Sequence, residues 1–199
     1  MNYSECIENA RTRIGNYCKA CPECNGRACK NQMPGPGAKG IGDTAIRNYD
    51  KWKEIRVQMD TIAENKPVDT SLELFGKKFL YPFFAGPVGA VGLHYGDCLD
   101  DVRYNDILVS ACAKYGIAAF TGDGLDSNVM VAATKAIGKT DGIGIPTVKP
   151  WNIDTVAEKM KMVQESKAFA VAMDVDAAGL PFLKNMEPPA GSKIGRAHV

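Results

Sequence analysis

Apolar positions along the chain gather into four runs that read as buried strands, each ending in a polar or glycine-rich tip. They are Phe79–Gly89, Ile117–Gly124, Gly142–Pro150 and Ala168–Asp176. Between them the spacing changes to a helical period. Val102–Tyr115 would bury Ile107, Leu108, Ala111 and Cys112; Val129–Ile137 follows Ser127 as a cap; a third helix runs from Asn152 or Asp154 to about Lys167. Regular strand–helix alternation at this spacing predicts parallel βαβ units. A barrel and a doubly wound open sheet share that alternation, so the period alone leaves both open.

Ahead of the first run, residues 4–17 carry Ile7, Ala10, Ile14 and Tyr17 near one helical face. Pro34 to Gly42 is too rich in glycine and proline for helix or strand. Asp43 or Thr44 can cap a helix to about Ile55. Leu72–Phe75 and Lys78–Leu80, around Gly76-Lys77, read as a small hairpin.

Composition changes this picture little. The chain has 199 residues, is 45% hydrophobic and 24% charged, and carries a formal net charge of +1. That balance speaks against nucleic acid or an anionic membrane as the main partner. No apolar run reaches the length of a membrane span, and the first residues lack the apolar core of a secretory signal. A cytoplasmic location is the resulting expectation. Its seven cysteines then read as thiols or metal ligands, not disulfides.

Four of those cysteines, Cys18, Cys21, Cys24 and Cys29, follow a C-x2-C-x2-C-x4-C spacing. Short turns can aim such thiolates at one centre, an iron–sulfur cluster or a structural zinc; a set of reduced thiols has the same sequence. Cys112 reads as a core residue. The chain divides into 1–42 (helix, cysteine cluster, glycine/proline segment), 43–193 (the βα region) and 194–199. Those last six residues, Ile194 to Val199, resemble a translated sequencing adapter and are expected to be a non-native tail.

Three stretches carry a family resemblance. They are Thr44-Ala45-Ile46-Arg47-Asn48-Tyr49 followed by Trp52; Leu74-Phe75-Gly76-Lys77 with Tyr81 to Gly89; and Ala170-Val171-Ala172-Met173-Asp174-Val175-Asp176. In order and spacing they resemble the FMN-dependent α-hydroxy-acid oxidases and dehydrogenases over roughly residues 30–190. The resemblance implies an α/β fold, the N-terminal half of a TIM (β/α)8 barrel with about four βα units, behind the helical and cysteine-rich extension. A complete barrel needs about 250 residues and keeps its chemistry on the loops after the strands. The implied cofactor is FMN, with Pro87, Val88 and Gly89 against the ring and Thr121 offering a hydroxyl to it. Lys149, the cation at the third tip, would sit near the flavin or a substrate carboxylate, and Asp174 takes a threonine position on the fourth strand.

The departures are specific. A glutamine and a tyrosine of the family's third strand fall on Pro146 and Val148, and an arginine after the fourth falls on Gly179. Family members carry their catalytic histidine, a flavin-contacting lysine and a substrate arginine on later strands, expected beyond residue 193. His94 reads as loop structure. The expected substrate is a small 2-hydroxy acid, with an electron-transfer partner and a homo-oligomer as further expectations; no turnover is expected from these residues alone. A flavin barrel of other chemistry, as in the type 2 isopentenyl diphosphate isomerases, and a non-catalytic metal-binding remnant are the alternatives.

Overall fold

A computed structural model describes residues 2–15, 17–29, 43–124 and 126–174. Expectations for the glycine/proline stretch, for Asp176, Gly179 and for the 194–199 tail lie outside the described residues. The chain divides into two units, Met1–Asp69 with Gly92–Cys98, and Thr70–Val91 with Leu99–Val199.

In the first unit, α1 spans Tyr3–Arg11 and α2 spans Thr44–Trp52. Asn2 caps α1 through a reciprocal box with Glu5, which satisfies two orphan N–H groups. The helix stops short of the expected residue 17. Gly15 instead donates its N–H to the Tyr95 carbonyl at 2.6 Å, and a Cβ at Gly15 would stand 3.0 Å from the Gly96 nitrogen. The cysteine-bearing segment is fixed onto α2 by polar contacts. Arg27 forks onto Asp50 at 3.0 and 3.1 Å, and the Tyr49 hydroxyl donates to Glu23.

The second unit holds the βα region. Its hairpin pairs β1 (Leu72–Leu74) with β2 (Lys77–Phe79) through the two-residue turn Phe75-Gly76. Both turn residues have positive φ, 48° and 74°, the conformation a two-residue hairpin prefers and glycine supplies without strain. A short helix, α3 (Val91–Tyr95), starts in this unit and continues in the first; it holds His94, which the sequence alone reads as loop.

Four extended segments then pair in parallel and in chain order. Ala85 pairs with Ala119, Phe120 with Ile145, and β3 (Thr147–Val148) with β4 (Ala172–Met173). Backbone bonds carry the ladder: Phe120 N–H to Ala85 O at 2.8 Å, Ile145 N–H to Ala119 O at 2.9 Å, Asp174 N–H to Val148 O at 2.9 Å. No reversal of order interrupts the described segments, unlike the switch point of a doubly wound sheet. Regular pairing is much shorter than the four long strands expected. Pro82, Pro87 and Pro146 lack the N–H that a continuous ladder needs.

Helices α4 (Asp101–Lys114), α5 (Ser127–Lys139) and α6 (Ile153–Glu165) cover one face of this ladder. Asp100, Asp126 and Asn152 are their side-chain caps, so Ser127 is the first helical residue and not the cap. One cluster packs Val109, Cys112, Ala119, Ala136 and Ile137; a second packs Met130, Val148 and Val163. The buried residues of α4 are Asn105, Val109 and Cys112; Cys112 and the half-buried Leu108 join the core as expected, whereas Ile107 and Ala111 are exposed.

Candidate functional site

Side-chain alternation along the segments sorts the tip residues onto two faces. A Cβ at Gly144 would strike Ile137 of α5, and Val148 packs on α5 and α6. Gly144, Pro146 and Val148 therefore face the helices, whereas Ile145, Thr147 and Lys149 face the other way. This corrects the expected register on the third segment: the residues away from the helices are Thr147 and Lys149, not Pro146 and Val148. Thr121 is fully buried and shares the helix-facing side with Ala119. Its hydroxyl, like that of Thr147, has no hydrogen-bond partner among the described residues.

On that face the third and fourth tips meet. Lys149 Nζ lies 2.9 Å from Asp174 Oδ2, and both side chains are mostly buried. Two residues before Lys149, Thr147 is buried and its hydroxyl has no hydrogen-bond partner among the described residues. A buried hydroxyl left without a partner carries a desolvation cost, and a bound polar ligand would relieve it.

The first tip lies over the second. A Cβ at Gly122 would stand 2.1 Å from the Val88 carbonyl oxygen, and one at Gly89 would stand 3.2 Å from the Asp123 carbonyl oxygen. The small residues at these two positions let backbone approach backbone. Gly86 faces open space, Pro87 is exposed, and Val88 and Gly89 are half-buried. Of the expected ring-facing residues, Pro87 and the Gly86 side of the tip present free surface; Gly89 is used in packing one tip against the next.

Asp123 is the residue sequence reasoning missed. Its carboxylate accepts the backbone N–H of Lys149 at 2.9 Å, the Trp151 indole N–H at 2.6 Å, the Gly124 N–H at 2.9 Å and the Lys159 ammonium at 2.5 Å. The signal was present in α6, where Lys159 occupies the apolar stripe of Val156, Met160 and Val163. A lysine at a core position needs a buried partner.

Cys18, Cys21, Cys24 and Cys29 are not assembled into a ligand set. Among the described residues no group of three or more His, Cys, Asp or Glu side chains could hold a metal ion. An iron–sulfur or zinc site at these four cysteines is therefore not supported among the described residues. The segment takes its shape from Arg27, Glu23 and their partners on α2, and the Cys29 thiol contacts the Gly26 carbonyl. Burial, and then the neighbouring Cys18, Cys29 and Cys21, push the Cys24 thiol above its ordinary range.

Among the described residues no helix is long and apolar enough to cross a membrane. Comparison with curated proteins gives no match. A sequence profile described as FMN-dependent dehydrogenase matches residues 35–186, which include every strand tip described above. That span covers most of the chain, and the chain belongs to the FMN-dependent dehydrogenase family.

Proposed function

We propose that the four parallel segments form one wall of a TIM barrel, that their tips seat FMN, and that the substrate is a small 2-hydroxy acid. The observation that carries this reading is the Lys149–Asp174 pair, with the hydroxyl of Thr147, two residues before Lys149, unpartnered among the described residues. One face thus offers a cation, its exchangeable counter-ion and an unmet hydrogen-bonding group. The residues present fit a planar, polar-edged cofactor: Gly86 and Pro87 leave open surface, and Thr147 has hydrogen-bonding capacity to spare.

The chemistry supplied by bound FMN is acceptance of the hydride that leaves C2 of the hydroxy acid as it becomes a 2-oxo acid. Lys149 binds the anionic group by exchanging the Asp174 carboxylate for the ligand's own. A charge-assisted contact of this kind is shorter and stronger than a neutral one, which orients the carbon to be oxidised. Thr147 fixes a polar edge. Asp174 remains close enough to shield the ammonium when no anion is present. The base that takes the hydroxyl proton is not assigned among the described residues. An electron-transfer partner and self-association belong to the same proposal.

The test is spectroscopic. With FMN bound, lactate or glycolate should shift the oxidised flavin absorption band by binding beside it, without turnover, and Lys149→Met should abolish the shift. A bound flavin whose spectrum ignores both acids contradicts the proposed substrate.

A further inference from the structure

We propose that the buried Asp123–Lys159 pair, with Trp151, is the positioning device that presents the Lys149 ammonium beside Asp174. The Asp123 side chain is 0% exposed and that of Lys159 is 7% exposed. Four donors converge on one carboxylate. The Lys159 ammonium and the Gly124 N–H reach Oδ1, at 2.5 and 2.9 Å. The Lys149 N–H and the Trp151 indole reach Oδ2, at 2.9 and 2.6 Å. Lys159 Nζ also lies 5.2 Å from the centre of the Trp151 ring. One charge pair therefore ties together the second tip, the third tip and α6.

Stability alone is a weak reason for such a pair. Apolar residues of similar volume in place of a buried ion pair are often neutral or stabilising. What apolar residues could not do is accept the Lys149 main-chain N–H. With that N–H fixed, the Lys149 side chain leaves on the face away from the helices and meets Asp174 at 2.9 Å. Asp123 and Lys159 touch neither candidate ligand surface; they act through Lys149. The functional meaning of this device rests on the reading that Lys149 receives the bound anion, but the positioning itself does not.

Competitive acylation of the full 199-residue chain with acetic anhydride, read by mass spectrometry, tests it. Lys149 should be slow in the wild type because Asp174 holds it. Lys159→Met should raise the Lys149 rate by about threefold or more, in the range of coupling within one hydrogen-bonded network. Lys77 of the same unit, paired with Asp141, should keep its rate. If Lys159→Met fails to fold, the double variant Asp123→Leu/Lys159→Met removes the buried charge and the acceptor of the Lys149 N–H together and should show the same selective rise. An unchanged Lys149 rate, or Lys149 and Lys77 rising together, overturns the proposal. Added FMN should slow Lys149 in the wild type. If it does not, while Lys159→Met still exposes Lys149, the flavin reading fails and the positioning device stands.

Discussion

The ammonium of Lys149 and the carboxylate of Asp174 meet at 2.9 Å across neighbouring strand tips. Thr147 pairs with Ala172 and Val148 with Met173, so the next step of the same register sets Lys149 beside Asp174. A cation held by an internal carboxylate is ready for exchange with an external one. Lys149→Met should weaken binding of a small carboxylate such as oxalate by about tenfold or more, since a hydrogen bond to a charged group contributes about 1.5–3 kcal/mol. Asp174→Asn should strengthen it, because the competing charge is gone. Isothermal titration of the FMN-loaded chain measures both; equal affinities in all three proteins would remove Lys149 from the anion site.

Gly122 holds the first two tips together by having no side chain. A Cβ there would overlap the Val88 carbonyl, which is backbone and cannot rotate away. Gly122→Ala should lower stability by about 1–3 kcal/mol, the usual cost of overpacking, and lower the thermal midpoint. Gly86→Ala adds its methyl to open space and should leave the midpoint nearly unchanged. Thermal melts of both variants check the pair.

Much of this architecture was legible in the sequence because the signals are local. Apolar periodicity located α4, α5 and α6, Asn152 marked the start of α6, and the glycine-rich ends marked where the parallel segments finish. The site was less legible because it depends on register. Shifting a strand by one residue moves each side chain to the opposite face. Resemblance aligns the family's glutamine and tyrosine with Pro146 and Val148, and the packing of Gly144 on Ile137 and of Val148 on α5 and α6 sets both toward the helices. Asp123 escaped because its partners, Lys149, Trp151 and Lys159, are tens of residues away. The cysteine spacing was suggestive, yet polar contacts to α2 set the course of that segment.

Two groups at the α4 core make stability depend on pH. Burial pushes the Cys112 thiol above its ordinary value of 9.0. Burial, and then the charge of Cys112, push the Tyr104 phenol above 10.0. In the unfolded chain these groups lose their protons at ordinary values, while the fold keeps them protonated to higher pH. Their favourable contribution is complete below the unfolded values and is lost as pH rises through the folded ones. Urea midpoints should therefore hold steady up to about pH 8 and fall by about pH 10, above the ordinary thiol value. Cys112→Ala should reduce that fall relative to its own stability at about pH 8. An identical fall in both proteins would show that Cys112 is not responsible.

Whether the strand tips seat a flavin is decided most directly by titrating FMN with this chain and following flavin fluorescence. The account predicts saturable quenching at one FMN per chain, weakened by Lys149→Met and left intact by Lys51→Met on α2. Fluorescence that stays at the level of free FMN at every protein concentration, with the chain folded by circular dichroism, would contradict it.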